Sequence, residues 1–111
     1  MHVEVTFRNL NPREEVRRRA LSLFNKLEKF LDPACTGQLL VSVEHGNAVI
    51  DLHVNTRGQT YAVREEDPDL RTAIDRAFHN VEFQLRRAKE MRSQHRVAGE
   101  PRDGFDTPSE Y

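Results

Sequence analysis

The chain has 111 residues, 32% charged and 37% hydrophobic, with a formal net charge of −1 and a mean hydropathy of −0.74. That length suits one domain with a real core but leaves little room for a deep cleft between domains. With no apolar run near the roughly 18 residues that cross a bilayer, no basic-then-apolar leader and a single cysteine, Cys35, a cytoplasmic protein is expected, without membrane contact or disulfides.

His2 to Arg8 alternates, with Val3, Val5 and Phe7 on one side and His2, Glu4, Thr6 and Arg8 on the other, which predicts a half-buried strand. Asn11 is the expected N-cap of a helix, with Pro12 in its first position and Glu14 and Glu15 in its first turn. This helix is expected from Pro12 to about Leu31. Its apolar stripe is Val16, Ala20, Leu23, Phe24, Leu27, Phe30 and Leu31. Arg18, Arg19, Lys26 and Lys29 fall together on the far side, and Asp32-Pro33 stops the helix.

Three short antiparallel strands follow. Leu39, Val41 and Val43 alternate in the first, Ile50, Leu52 and Val54 in the second, and Tyr61 and Val63 in the third. His45-Gly46-Asn47 and Arg57-Gly58 are the turns, with Gly46-Asn47 suited to positive φ. Asp67 or Asp69 is placed to cap a second helix from Leu70 to about Arg92. In that helix Leu70, Ile74, Ala77, Phe78, Val81, Leu85 and Ala88 recur at intervals of three and four, a stripe roughly 100° wide. Phe83 projects almost opposite the stripe, among polar neighbours.

Residues 1–97 are read as one domain. The stretch 98–111, rich in Gly, Pro and acidic residues, is read as a disordered tail. The order β-α-β-β-β-α, with one apolar sheet face, predicts an α+β two-layer sandwich: a four-stranded sheet with both helices on one face. The outer face, with His2, Glu4, Thr6, Arg8, Ser42, Glu44, Asp51, His53 and Arg64, is too polar to be a second core.

Charge is unevenly spread: +3 over residues 1–31, −5 over 32–69, +4 over 70–97 and −3 over 98–111. Two basic segments therefore flank an acidic middle, which suits a nucleic-acid binder whose positive charge gathers on one face. No phosphate loop, GxSxG, HExxH or CxxC is present, so no catalytic residues, no cofactor and no small-molecule substrate are expected. Asp51 and His53 share a strand face, but a solvated sheet is the ordinary explanation and no metal site is expected. Cys35 is read as a small packing residue. The basic helix faces are either a solvated, ion-paired surface or a set of phosphate contacts. The outer sheet face lacks the aromatic platform of an RRM.

Four stretches carry a resemblance to a known family: VEVTFRN at the start, NKLEKFLDP from Asn25 to Pro33, the LLVSVE strand, and EDPDLRTAIDRAFHNVEFQLRRAK from Glu66 to Lys89. Over roughly residues 1–96 the chain resembles the short form of the bacterial ribosome hibernation promoting factor/protein Y family of ribosome-associated stress proteins. The resemblance implies a fold like a double-stranded RNA-binding domain with an added first strand. It also implies a non-enzymatic role in stationary phase: binding the small ribosomal subunit where mRNA and tRNA lie, and repressing translation by steric exclusion. Carried over by position, the rRNA-binding candidates are Lys26, Lys29, Arg86, Arg87 and Lys89. The helical wheel adds Arg18, Arg19 and Arg92.

Three positions depart from the family pattern: Asn80 replaces a usual lysine, Phe83 a usual arginine and Arg71 a usual tyrosine. Losing two phosphate contacts is expected to weaken binding and flatten its salt dependence. A monomer is expected that does not pair ribosomes by itself, with Phe83 as the candidate protein contact or seat of weak self-association. The rival readings are a general structured-RNA-binding module and a protein-interaction adaptor on the same fold.

Overall fold

A computed structural model describes residues 1–99, with side chains as far as Ser93. The elements are β1 (His2–Arg8), α1 (Glu14–Leu27) with a 3-10 turn over Glu28–Phe30, β2 (Thr36–Glu44), β3 (Asn47–Thr56), β4 (Gln59–Asp67) and α2 (Leu70–Gly99). The four strands form one mixed sheet in the order β1-β2-β3-β4, with β1 parallel to β2 and the other pairs antiparallel. This is the α+β, β-α-β-β-β-α arrangement expected from the sequence.

Register lines up the inward rows across the sheet. Val5, Leu39, Leu52 and Val63 form one row, and Val3, Gly37, Val54 and Tyr61 another. In the second row Gly37 has no side chain, and the Phe24 ring of α1 occupies that space. Phe24 meets Phe78 of α2 edge to face, with ring centroids 4.9 Å apart, a favourable quadrupole arrangement. Val16, Ala20, Leu27, Ile74, Ala77, Val81 and Leu85 complete the buried helix layer. β1 and β4 point the same way, and each is followed by a helix that folds back over the sheet. α1 and α2 therefore run side by side in the same direction.

The outer face carries the polar residues expected there, but Ser42 is buried and Val49 fully so. Arg64 reaches across this part of the face. It donates to Asp51 at 3.0 Å and reaches Glu44 at 3.4 Å, two rows away, so its guanidinium crosses the Ser42–Val49 row. Hydrogen bonding to Asp51 also raises the Arg64 pKa above its ordinary value.

Several element boundaries differ from those expected. α1 begins at Glu14, with Arg13 as the N-cap by backbone alone, rather than with Asn11 as cap and Pro12 inside the helix. The chain uses Leu10 to Arg13 to climb from the sheet to the helix layer, with Leu10 packed on the core. Both hairpin turns are two-residue turns with positive φ, His45-Gly46 and Arg57-Gly58, which match the twist of the flanking strands. Asn47 is not a turn residue: it opens β3 and donates to Glu66 at 2.9 Å.

α2 passes Arg92 and continues to Gly99, the last described residue. The expected tail thus gives up residues 98 and 99 to the helix, and residues 100–111 lie outside the described part. Of the two proposed caps of α2, Asp69 is the one used. Its carboxylate accepts from the Thr72 backbone N–H at 2.9 Å and the Thr72 hydroxyl at 2.6 Å. Asp67 accepts from the Asp69 backbone N–H instead, at 2.8 Å.

Candidate nucleic-acid interface

The apolar stripe of α1 ends on Phe30. There the helix tightens into a 3-10 turn, and the chain then becomes extended at Leu31. Asp32 anchors this exit: its carboxylate accepts from the Thr56 hydroxyl at 3.1 Å and from the Arg57 N–H at 3.2 Å. Phe30 is therefore held firmly and is nearly buried, with one ring region left for charged neighbours.

Three cations from two elements surround that ring. The Lys29 ammonium lies 5.4 Å from its centroid, Lys89 5.7 Å and the Arg86 guanidinium 5.9 Å. Each such contact is worth about 0.5–1 kcal/mol at an exposed site. The carbonyl end of α1 also favours positive charge in this neighbourhood. Arg86 is braced further by Glu82 at 2.7 Å, one helical turn earlier. Gathering like charges costs energy by mutual repulsion, and the ring, the helix end and Glu82 offset that cost. The product is a preorganised, solvent-facing positive cluster, the arrangement that phosphate recognition requires.

The other expected cations divide into two groups. Arg18, Lys26, Arg87 and Arg92 are exposed, with no ion pair or side-chain hydrogen bond among the described residues. They are free to meet a ligand. Arg19 is not on the far face of α1: it turns toward α2 and donates twice to Asp75 Oδ1, at 2.9 and 2.7 Å. It binds the helices to each other, and the wheel misplaced it because its long side chain leans across the inter-helix seam.

Beyond Leu85, the last buried residue of α2, every described side chain is exposed except half-buried Ala88. Residues 86–93 thus form a helical arm about 12 Å long, polar on nearly every side, which meets the body through Arg86 and Lys89 on the Phe30 ring. It carries Arg86, Arg87, Lys89 and Arg92 against Glu90 alone. Phe83 stands just before the arm and is 53% exposed. Its neighbours at helical spacing are His79, Asn80, Arg86 and Arg87, so it stands apart from any contiguous apolar patch.

The outer sheet face offers polar rows without an aromatic side chain, which leaves no stacking platform there. Among the described residues no group of three or more His, Cys, Asp or Glu side chains gathers as a metal site. No helix among them is long and apolar enough to cross a membrane. Cys35 is buried, with a free thiol.

Sequence reasoning missed the organising role of Phe30, which the wheel assigns simply to the core stripe. It also missed Arg17. This side chain donates to the Val5 carbonyl at 3.4 Å and lies 5.7 Å over the Phe7 ring, covering part of the open edge of β1. The Lys-Phe pair of LEKF and the basic run of QLRRAK were the available signal. It becomes specific only once parallel helices are known to bring the two segments together.

Comparison with known proteins agrees with the residue-level resemblance to the hibernation promoting factor/protein Y family. No curated protein matches the chain. The N-terminal domain of Thermus thermophilus Protein Y superposes with a TM-score of 0.73 at 28% identity, covering 78% of this chain and 98% of that one. A ribosomal subunit interface protein from Coxiella burnetii shares the fold, with a TM-score of 0.64 at 20% identity, covering 81% of this chain and 99% of that one. The family model described as sigma 54 modulation protein / S30EA ribosomal protein matches residues 3–93, and the chain belongs to that family.

Proposed function

We propose that this protein is a non-catalytic, cytoplasmic ribosome-associated factor that binds the small ribosomal subunit in the mRNA and tRNA channel. It represses translation there by steric exclusion. The observation that carries this reading is the cation cluster on Phe30, continued by the basic arm of α2. Cations at these spacings follow a phosphate backbone without reading sequence. The acidic middle of the chain, on the sheet side, orients the helices toward RNA. Similarity to Protein Y and to a ribosomal subunit interface protein supplies the ribosome as the RNA in question.

In this reading Arg18, Lys26, Lys29, Arg86, Arg87, Lys89 and Arg92 contact rRNA, and Arg19 holds the two helices that present them. The folded body fills the space that a tRNA and the mRNA require. The protein acts as a monomer.

Co-sedimentation with ribosomal subunits across a salt series tests the proposal. Binding to the small subunit that weakens steeply with salt supports it. Equal affinity for any duplex RNA would identify a general RNA-binding module instead. No binding at low salt would leave only the protein adaptor. The double substitution Lys26→Glu with Arg86→Glu is expected to abolish co-sedimentation while the fold survives, because both side chains are exposed. Unchanged binding by that variant would reject the assigned surface.

A further inference from the structure

The basic arm of α2 is followed by an acidic stretch of the same chain. Residues 100–111, beyond the described part, carry Glu100, Asp103, Asp106 and Glu110 against Arg102. The arm has the opposite balance, and nothing among the described residues answers it. Arg87, Lys89 and Arg92 are exposed and make no ion pair there. Glu82, one turn earlier, is taken by Arg86 at 2.7 Å. Glu90 is left as the arm's own carboxylate.

The lengths match as well as the signs. Arg92 and Arg87 lie about 10 and 18 Å short of Gly99 on a helix that rises 1.5 Å per residue. An extended chain spans roughly 3.3 Å per residue, so Asp103 reaches about 13 Å back from Gly99 and Asp106 about 23 Å. Pro101 and Pro108 do not fit a helix interior, which makes the extended reach the relevant one. Run back along the arm, Asp103 comes level with Arg92, and Asp106 passes Lys89 and Arg87. Covering these cations relieves their mutual repulsion. Because the acidic stretch is tethered beside them, it competes at an effective concentration in the millimolar range.

We propose that the acidic stretch 100–111 folds back along the arm, pairs with Arg87, Lys89 and Arg92, and is displaced when RNA phosphates take these cations. This rests on the RNA-binding reading above and adds an autoinhibitory contact on the same surface. An RNA that offers few phosphates at once does not displace the stretch. One that engages the arm and the Phe30 cluster together does.

The test compares the full chain with a full-length variant carrying Asp103→Asn, Asp106→Asn and Glu110→Gln. A labelled RNA hairpin is expected to bind the variant about three- to tenfold more tightly at low salt, the scale of two or three exposed ion pairs. The advantage should fade as salt rises. Neutral residues would also lessen plain repulsion of RNA, so the contact is read separately. Cys35 is buried, which leaves Ser109→Cys as the reactive position for a nitroxide. That label is expected to broaden the amide signals of residues 86–92 in the RNA-free protein, and added hairpin should restore them. Equal broadening with and without the three neutral substitutions overturns the charge-driven contact. Broadening only between a nitroxide-bearing copy and a separate isotope-labelled copy puts the stretch on a second molecule and overturns the fold-back. Unchanged hairpin affinity in the variant overturns the competition with RNA. If neither protein binds the hairpin at low salt, the RNA-binding reading falls, and the broadening still decides the contact.

Discussion

Arg19 donates two hydrogen bonds to a single oxygen of Asp75, at 2.9 and 2.7 Å, and so joins the second turns of two parallel helices. Both side chains are part-exposed, at 35% and 43%, so solvent screens the pair. Its removal by Arg19→Ala is expected to cost up to about 1 kcal/mol. RNA affinity should fall only to the extent that α1 shifts against α2. A double-mutant cycle with Asp75→Ala, read by urea unfolding, measures the coupling. A loss of RNA affinity as large as that of Lys26→Glu would return Arg19 to the set of direct contacts.

Phe30 makes a sharper prediction because it carries no charge. Phe30→Leu keeps an apolar filler at the end of the α1 stripe but removes the ring shared by Lys29, Arg86 and Lys89. Ribosome or RNA affinity is expected to drop about three- to tenfold, the scale of one or two cation–π contacts. The slope of log affinity against log salt should stay unchanged, since no phosphate-neutralising group is lost. A flattened slope would show that the cations had been displaced altogether. Phe30→Ala, by contrast, is expected to cost about 3–5 kcal/mol of stability and to confuse the two effects.

These two sites show how far the sequence was legible. The strand faces could be read because alternation at period two leaves only one way to bury Val5, Leu39, Leu52 and Val63 together. The helix stripes were legible for the same reason at period 3.6. A wheel, however, places Cβ atoms and not the ends of long side chains. Arg18 and Arg19 differ by one position, yet one faces solvent and the other bridges to α2. The Phe30 cluster joins residues some sixty positions apart, and only the parallel run of two helices creates it. The two chain turns were placed correctly, but their chemistry was shifted by one at Asn47, whose side chain serves a cross-strand bond to Glu66.

Gly37 tests the core next to the interface. A Cβ at this position would lie 2.4 Å from Phe24 Cε1, well inside contact distance. The ring cannot retreat, because Phe78 packs edge-on against it. Gly37→Ala is therefore expected to destabilise the domain by about 1–3 kcal/mol through overpacking. Urea unfolding should show a lower midpoint at an unchanged m-value. A neutral result would mean that α1 can slide outward at little cost.

Acid sensitivity should reflect the α2 cap. The Thr72 hydroxyl and then its backbone N–H, both donating to Asp69, hold that carboxyl below the ordinary carboxylate value. A depressed folded-state pKa contributes stability that is present above the unfolded value and is lost as pH falls through the folded one. Thr72→Val removes the hydroxyl donor. The variant is expected to be less stable than the parent at neutral pH, and the gap should close as pH falls through the carboxylate range. Thermal unfolding of both proteins across that range provides the check, and a gap independent of pH would detach the cap from Asp69 ionisation.

Phe83 is the large apolar side chain of α2 that stands off the buried stripe, on the opposite side of the helix. An apolar side chain 53% exposed among His79, Asn80, Arg86 and Arg87 is too isolated to form the contiguous patch that a stable dimer interface needs. The protein is expected to sediment as a monomer, and Phe83→Arg should leave that state unchanged. The substitution places a further cation beside the basic arm, so RNA affinity should rise and its salt slope steepen by about one unit. If the unaltered chain self-associates and Phe83→Arg dissociates it, Phe83 is a protein contact. If instead affinity rises with no change in mass, the position belongs to the RNA-facing surface, and its phenylalanine tunes the strength of binding downward.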